Sequence, residues 1–262
     1  MIKLIATDLD GTLLDSQKQI DEGILFLLEK LRKQGIEITT LSGRNETLGS
    51  RYVDELGIRV PYATNNGGEI FHQHERIDIE PILQDYNQEL INLHLQYQIP
   101  FACYCSDKMI RYAESDFFRK RTDGLITDSI PYQNGMDFSN EKIVKVTSDV
   151  AKLKELEEFK EKLSNQFPEL IYIEAEQDVY CSNAKKANKG NALKKICQHL
   201  NILPEEVMAF GDSYNDIPML KFAGVAVAME NADEDVKAVA DAITLDNNHQ
   251  GVSHFLKEYF QL

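Results

Sequence analysis

The fold is decided by residues 2–14, which read IKLIATDLDGTLL. Residues 2–7 form an aliphatic and β-branched run that predicts a buried strand, and the run ends abruptly in a turn sequence, Asp8-Leu9-Asp10-Gly11. Open parallel sheets bind their ligands beyond the carboxyl ends of their strands. Asp8 and Asp10 are therefore the first candidates for a functional site.

The residues after this stretch alternate between helical and strand patterns. Apolar residues at helical spacing, from Ile24 to Leu31, predict a helix that stops at Gly35. Strands are predicted at 36–41 and 60–64, with a helix at 46–56 between them. Strands and helices that alternate with short connections are typical of a parallel sheet. The same alternation returns near the C-terminal end, with helices at 190–200, 216–222 and 234–240 and strands at 207–210 and 225–228.

The middle of the chain has a different pattern. Adjacent strands joined by short polar turns indicate antiparallel pairing, so this part is predicted to be an α+β unit inserted into an α/β domain. We expect a Rossmann-like core from residues 1–81 and 184–262, with an inserted domain at 82–183. The insert is predicted to contain helices at 84–97 and 151–166 and strands at 101–105, 110–113, 142–148, 170–175 and 178–182.

Composition excludes several classes of partner. The 262 residues include 28 basic and 43 acidic side chains and carry a net charge of −15, which disfavours nucleic acids and anionic membranes. The four cysteines lack a Cys-x-x-Cys spacing, which favours reduced thiols.

No run approaches the ~20 apolar residues of a spanning helix, and the first residues do not resemble a signal peptide. We expect a cytoplasmic protein without an obligate protein partner.

Carboxylates follow two predicted strands of the core. Asp8 and Asp10 follow the first strand, and Asp212 and Asp216 follow the strand at 207–210. Two carboxylates about 4 Å apart repel by roughly 4 kcal/mol at an effective dielectric constant near 20, so a cation is needed to hold them together. The candidate ligands are hard oxygens without adjacent His or Cys, which favours Mg²⁺ over Zn²⁺.

Each of these motifs has a simpler interpretation when it stands alone. Asp8 and Asp10 could form an ordinary turn, and Ser42-Gly43 could be a helix N-cap. Lys189 could be a solvated surface lysine, and Arg44 could lie near a phosphate or pair with an acid. The nearby histidines 72 and 74 lack a third ligand at suitable spacing and are interpreted as surface residues.

Taken together, the motifs resemble those of the haloacid dehalogenase superfamily. They are residues 8–14 (DLDGTLL), Ser42-Gly43-Arg44, Lys189-Gly190 and residues 211–216 (GDSYND), in that order. Asn65-Asn66-Gly67-Gly68, the inserted domain and the tail from Asn231 to Val252 resemble the Cof-type sugar-phosphatase branch. The resemblance implies that the insert is a cap domain that selects the substrate.

The resemblance also implies a role for each acidic residue. Asp8 would be the nucleophile that forms an aspartyl-phosphate, and Asp10 would be the general acid and base, which requires a carboxyl able to hold a proton. Mg²⁺ would be held by the Asp8 carboxylate, the Asp10 backbone carbonyl and the Asp212 carboxylate. Asp216 would lie behind these ligands and orient Lys189 or a metal-bound water.

The phosphoryl oxygens would be bound by residues from all four motifs. Thr12 is expected to support the loop. The predicted activity is a Mg²⁺-dependent phosphatase acting on a small phosphorylated metabolite, either a sugar phosphate or a phosphorylated cofactor. The alternatives are a phosphotransferase or phosphomutase that uses the same aspartyl-phosphate, and a non-catalytic sensor. The predicted phosphate ligands are the Leu9 amide, the Ser42 hydroxyl, the Gly43 amide, Lys189 and the Asn215 side chain.

Overall fold

A computed structural model of the protein describes residues 1–20, 22–113, 115, 117–118 and 129–262. Its residues fall into two compact units: unit 1 consists of Met1–Asp78 and Asn188–Leu262, and unit 2 is Ile79–Ala187. The sequence-based boundaries, 1–81 with 184–262 against 82–183, lie a few residues from these. Among the described helices, none is long and apolar enough to cross a membrane.

The elements follow one another in three groups along the chain. The first group is β1 (Leu4–Thr7), α1 (Glu22–Lys33), β2 (Glu37–Thr40), α2 (Glu46–Glu55), β3 (Tyr62–Thr64), β4 (Glu69–His72) and β5 (Glu75–Ile79). Unit 2 contains α3 (Asn87–Gln96), β6 (Phe101–Cys105), β7 (Met109–Tyr112), β8 (Ile130–Pro131), β9 (Ile143–Asp149), α4 (Leu156–Gln166), β10 (Leu170–Glu176) and β11 (Val179–Ala184). The last group is α5 (Lys189–Leu200), β12 (Val207–Gly211), α6 (Ile217–Phe222), β13 (Val225–Met229), α7 (Glu234–Lys237), β14 (Ala242–Thr244) and α8 (Gly251–Phe260).

A five-stranded parallel sheet organises unit 1, and it confirms the predicted α/β fold. Its strand order is β14-β13-β12-β1-β2. Every residue of β1 and β12 is buried, as expected for strands covered on both faces. Thr7 lies opposite both Thr40 and Phe210, so β1, β2 and β12 end at the same edge of the sheet.

The strand predicted at 60–64 is present as β3, but it does not belong to this five-stranded parallel sheet, and that part of the prediction was wrong. β3 instead pairs antiparallel with β4, in a separate three-stranded sheet of order β3-β4-β5. A single parallel bridge, between Leu41 and Ala63, links it to the end of β2. The antiparallel pairing of β3 with β4 follows from the turn between them. Asn65, Asn66 and Gly67 all have positive φ there and reverse the chain direction.

Unit 2 contains the antiparallel pairing that the sequence predicts. Its sheet has the order β10-β11-β9-β6-β7-β8, and the described pairs are antiparallel except β7 with β8. Helices α3 and α4 contribute Leu90, Ile91, Phe159 and Leu163 to a core that also contains Phe101 from the sheet. This core is separate from that of unit 1.

Candidate active site

Asp8 and Lys189 meet at the carboxyl edge of the parallel sheet. The Asp8 amide donates to the Phe210 carbonyl at 3.2 Å, which continues the β1–β12 pairing by one residue. Lys189 begins α5, where the Asn188 side chain caps the helix by accepting from the Asn191 amide at 2.9 Å. The Lys189 Nζ lies 2.8 Å from Asp8 Oδ1, and the lysine is completely buried. The interpretation of Lys189 as a surface lysine is therefore wrong.

Asp216 holds Lys189 from the other side. Lys189 Nζ donates to Asp216 Oδ1 at 2.6 Å, while Asp216 Oδ2 accepts from the amides of Asp212 and Ser213 at 3.0 Å each. Both oxygens of this buried carboxylate therefore have partners within the protein. Asp216 connects the lysine to the loop after β12, an arrangement compatible with its expected role in orienting Lys189.

Burial and charge set the protonation of the Asp8–Lys189 pair. Burial raises the pKa of Asp8 above its usual range; Lys189 opposes this increase, and Asp216 and Asp212 add to it. Burial would lower the pKa of Lys189, but Asp216 and Asp8 outweigh it and raise the pKa above the usual value for lysine. Lys189 is therefore a fixed positive charge next to the candidate nucleophile.

Asp212 completes a cluster of three carboxylates. It accepts from Thr12 Oγ1 at 2.6 Å and from Ser213 Oγ at 3.0 Å, so Thr12 links the loop after β1 to Asp212. Burial, followed by the charge of Asp216, raises the pKa of Asp212 to about 6. Asp8, Asp212 and Asp216 each offer an oxygen, and these atoms all lie within 4.8 Å of one another. One lysine against three carboxylates leaves an excess of negative charge that suits a divalent cation with hard oxygen ligands.

The Asp10 side chain has different partners. Arg44 donates to it through Nε to Oδ2 at 2.6 Å and through Nη2 to Oδ1 at 2.7 Å, and Lys18 Nζ donates to Oδ1 at 2.7 Å. Burial would raise the pKa of Asp10, but these two cations outweigh it and hold the pKa well below its usual range. Asp10 is thus an ionised carboxylate in this arrangement, whereas the general acid expected at this position must be able to hold a proton.

Ser42, Gly43 and Asn215 lie close to one another through Asn66. The Ser42 Oγ accepts from the Arg44 amide at 3.1 Å, and Asn215 Nδ2 donates to Asn66 Oδ1 at 3.0 Å. A Cβ on Gly43 would lie 3.0 Å from the same Asn66 oxygen, so glycine permits this close approach. Asn215 Oδ1 is buried and has no hydrogen-bond partner in the described part of the chain.

Three residues of this region were not selected from the sequence. Arg44 was left open between two interpretations, and the structure shows that it pairs with Asp10. Asn66 was noted only as part of a family motif, although two asparagines before two glycines could have indicated a positive-φ turn. Lys18 was missed, since a lysine within a turn has no distinguishing pattern. The Leu9 side chain is buried in the core, and its predicted contribution is its backbone amide.

Comparison with known proteins shows which family has this sequence and fold. The model of the haloacid dehalogenase-like hydrolases matches residues 5–256. The chain belongs to that family. Phosphatase YwpJ of Bacillus subtilis is 32% identical, with 98% of this chain and 99% of the relative covered. A 5-amino-6-(5-phospho-D-ribitylamino)uracil phosphatase of the same organism, YitU, is 29% identical over 99% of this chain and 98% of its own length.

A solved structure supports the same assignment. The sugar phosphatase BT4131, of subclass IIB in the haloacid dehalogenase family, superimposes with a TM-score of 0.85 at 25% identity. The match covers 99% of this chain and all of BT4131. These relatives identify the protein as a haloacid dehalogenase-like phosphatase, which is a phosphoric monoester hydrolase.

Proposed function

We propose that this phosphatase hydrolyses a small phosphorylated metabolite, either a sugar phosphate or a phosphorylated cofactor, through an aspartyl-phosphate on Asp8. The observation that carries the proposal is the position of Asp8, whose buried carboxylate lies 2.8 Å from Lys189 and within the cluster formed with Asp212 and Asp216. The substrate class is supported by the relatives, which include a ribitylaminouracil phosphatase and a sugar phosphatase.

In the first step, a carboxylate oxygen of Asp8 attacks phosphorus while the bond from phosphorus to the leaving oxygen breaks. Charge on the equatorial oxygens of the transition state is stabilised by donors fixed before the reaction. Lys189 supplies the buried positive charge. Asp216 keeps Lys189 in place, because its own oxygens are already bound within the protein. The other proposed donors are the Leu9 and Gly43 amides, the Ser42 hydroxyl and the Asn215 side-chain amide.

In this proposal, Asp10 both donates and accepts a proton during the reaction. It gives a proton to the leaving alcohol in the first step and takes one from the attacking water in the second. Held by Arg44 and Lys18, it is ionised, and its carboxylate oxygens can act only as hydrogen-bond acceptors in this state. Donation in the first step requires that Asp10 take up a proton before the leaving alcohol departs.

We propose that Mg²⁺ is the metal and that the Asp8 and Asp212 carboxylates hold it, with the Asp10 backbone carbonyl. The donor set fits this ion, since the cluster consists of carboxylate oxygens without His or Cys. When bound, Mg²⁺ reduces the repulsion between the nucleophile and the phosphate. Asp216 is not expected to be a ligand, because both of its oxygens already accept hydrogen bonds from the protein.

Unit 2 is proposed to select the leaving group as a cap domain, and the protein is proposed to act in the cytoplasm. All four cysteines are free and buried, as reduced core thiols would be. If a chain lacking residues 79–187 ranked substrates in the same order as the full chain, the role assigned to unit 2 would be wrong.

The proposed function is tested by phosphate release from a panel of hexose, pentose and polyol phosphates and p-nitrophenyl phosphate, with and without Mg²⁺. We expect release that requires Mg²⁺ and is abolished by Asp8→Asn, with the circular dichroism spectrum of the variant unchanged. Borohydride reduction during turnover, followed by peptide mass spectrometry, should modify Asp8 alone. A fully active Asp8→Asn variant would overturn the proposal, and phosphate passed to a sugar without release would indicate a transferase or mutase.

A further inference from the structure

Lys18 lies at the tip of a short turn that follows the first motif. Leu14 and Ile20 pair across the turn as an antiparallel bridge. Within it, Asp15 Oδ1 accepts from the amides of Gln17 and Gln19 at 2.8 and 2.9 Å. The turn places the Lys18 Nζ 2.7 Å from Asp10 Oδ1.

The backbone of Lys18 has a conformation that lysine rarely adopts. Its φ is +61°, in the left-handed region where glycine or asparagine is favoured. This conformation is held by the Lys18 amide, which donates to the Asp15 carbonyl at 3.0 Å, and by Tyr52 Oη, which donates to the Lys18 carbonyl at 3.2 Å. Lysine is therefore held here by hydrogen bonds of the turn, although the backbone conformation favours glycine.

The C-terminal part of unit 1 fixes the same turn. Asn247 Nδ2 donates to the Leu14 carbonyl at 2.8 Å, and the Ser16 amide donates to Asn248 Oδ1 at 3.0 Å. The turn is therefore held by side chains more than two hundred residues away, as well as by its own hydrogen bonds. This support fixes the backbone of the turn from which the Lys18 side chain extends to Asp10.

Lys18 and Arg44 give the two oxygens of Asp10 different numbers of hydrogen bonds. A carboxylate has about four acceptor positions, two on each oxygen. Oδ1 accepts from both Arg44 Nη2 and Lys18 Nζ, while Oδ2 accepts only from Arg44 Nε among the described residues. The remaining acceptor position is therefore on Oδ2.

We propose that Lys18 is a positioning residue that, with Arg44, fixes the Asp10 carboxylate so that Oδ2 is the oxygen that exchanges the proton. This inference rests on the proposed function, in which the O–H bond of Asp10 breaks as a new O–H bond forms on the leaving alcohol. Arg44 alone would leave an acceptor position open on each oxygen. Lys18 occupies the open acceptor position on Oδ1, so the proton can be held only on Oδ2.

The test uses the dependence of the reaction on the leaving group. Departure of an alcohol from a sugar phosphate requires a proton, whereas p-nitrophenolate departs without one. Misplacement of a catalytic group by about 1 Å can cost ~10²-fold in rate, so Lys18→Gly should lower kcat/KM for the best sugar phosphate of the panel by about 10–100-fold. The same variant should change kcat/KM for p-nitrophenyl phosphate by less than about threefold, since this step does not use Asp10 as an acid.

The substitution is chosen so that the fold is retained. Glycine accepts the positive φ of Lys18, and Lys18→Asn is a second variant that tolerates it. Lys18→Arg keeps a cation and should recover part of the sugar-phosphate activity. Lys3→Met is the matched control, because Lys3 is similarly exposed and also forms an ion pair at 2.7 Å, but with Glu206.

Each outcome supports or overturns the inference. A loss confined to the sugar phosphate, with partial recovery in Lys18→Arg and none in the control, supports it. An equal loss on both substrates, or no loss in either Lys18→Gly or Lys18→Asn, overturns it while leaving the proposed function intact. Failure of the proposed function is distinct, because the parent protein would then release no phosphate or Asp8→Asn would be fully active.

Discussion

The ammonium of Lys189 lies 2.6 Å from Oδ1 of Asp216, and neither side chain is exposed to solvent. Asp216 also accepts from two backbone amides of the loop after β12, so it connects the start of α5 to that loop. The position of the proposed phosphate-binding lysine is therefore fixed by a residue that need not touch substrate or metal. We therefore expect the pair to affect stability as well as the proposed activity.

Replacement of Lys189 by methionine should destabilise the protein. The methionine side chain is uncharged and cannot neutralise Asp216. Removal of one partner of a buried ion pair typically lowers the free energy of unfolding by about 3–5 kcal/mol. We expect the free energy of unfolding of Lys189→Met to fall by an amount in this range. Urea unfolding followed by circular dichroism measures it.

The double variant Lys189→Met/Asp216→Asn provides the control for this prediction. It removes both charges, so it should recover part of the stability lost in Lys189→Met while remaining inactive. If Lys189→Met is as stable as the parent protein, or the double variant shows the full sum of the two single losses, the buried pair is not the cause.

The sequence predicted the parallel core because its strands are covered on both faces. Residues 4–7 and 207–210 are almost continuously apolar, and only a strand buried on both sides requires such a run. Helix α1 was predicted from its apolar residues at helical spacing, and these residues are buried. The strand at 60–64 was misplaced because its partner is decided by the turn after it, where residues 65–67 adopt positive φ.

The sequence placed the charged residues of the candidate site better than it predicted their contacts. Asp8 and Asp212 could be brought together because parallel strands end at one edge of the sheet. Pairing of Arg44 with an acid was one of its two open interpretations, but the contact of Asp10 with Lys18 could not be predicted. It depends on a turn in which a lysine adopts a conformation typical of glycine. Propensity favours glycine or asparagine at such a position, so Lys18 gave no signal.

Mg²⁺ should stabilise the protein in a pH-dependent way through Asp212. Without a cation, a carboxyl whose pKa is raised from 3.8 to about 6 stabilises the folded state at low pH, and this contribution is lost as the pH rises through about 6. Mg²⁺ requires the ionised carboxylate, so its stabilising effect should be large at about pH 7.5 and weak near pH 5. Thermal unfolding with Mg²⁺ or EDTA measures the difference.

Asp212→Asn is the matched variant for the Mg²⁺ prediction. It removes one ligand charge and the titrating group but keeps an acceptor for Thr12. We expect the melting temperature of this variant to respond little to Mg²⁺ at either pH. A Mg²⁺ effect that is unchanged in Asp212→Asn would show that the ion binds elsewhere.

Thr12→Val should weaken Mg²⁺ binding without unfolding the loop. The Thr12 hydroxyl donates to Asp212 Oδ1 at 2.6 Å, and this hydrogen bond lowers the pKa of the carboxyl against the effect of burial. Loss of a hydrogen bond to a charged group typically costs about 1.5–3 kcal/mol, so the Mg²⁺ concentration for half-maximal activity should rise by about tenfold or more. Thr12→Ser retains the hydroxyl and should stay close to the parent value. Weakening in Thr12→Ser as large as that in Thr12→Val would show that the hydroxyl is not the cause, because Thr12→Ser keeps it.

His94 should make the protein less stable in acid. Its ring is completely buried between Phe101 and Phe159. Nδ1–H donates to the Leu90 carbonyl at 2.7 Å, so the neutral Nε2 accepts from Ser148 Oγ at 2.8 Å. Burial lowers the pKa of His94 from 6.5 to about 4, so the unfolded chain binds a proton that the folded protein excludes.

The free energy of unfolding should therefore fall by up to about 3 kcal/mol as the pH decreases from about 6.5 to about 4. His94→Gln has no titrating ring, so its stability should decrease less over this range, even though its stability at neutral pH will be lower than that of the parent. His254→Gln is the matched control, because it removes a histidine that is exposed rather than buried. Urea unfolding at intervals of pH gives the three slopes. If the slopes of His94→Gln and the parent coincide, the acid sensitivity arises from the carboxylates and not from this histidine.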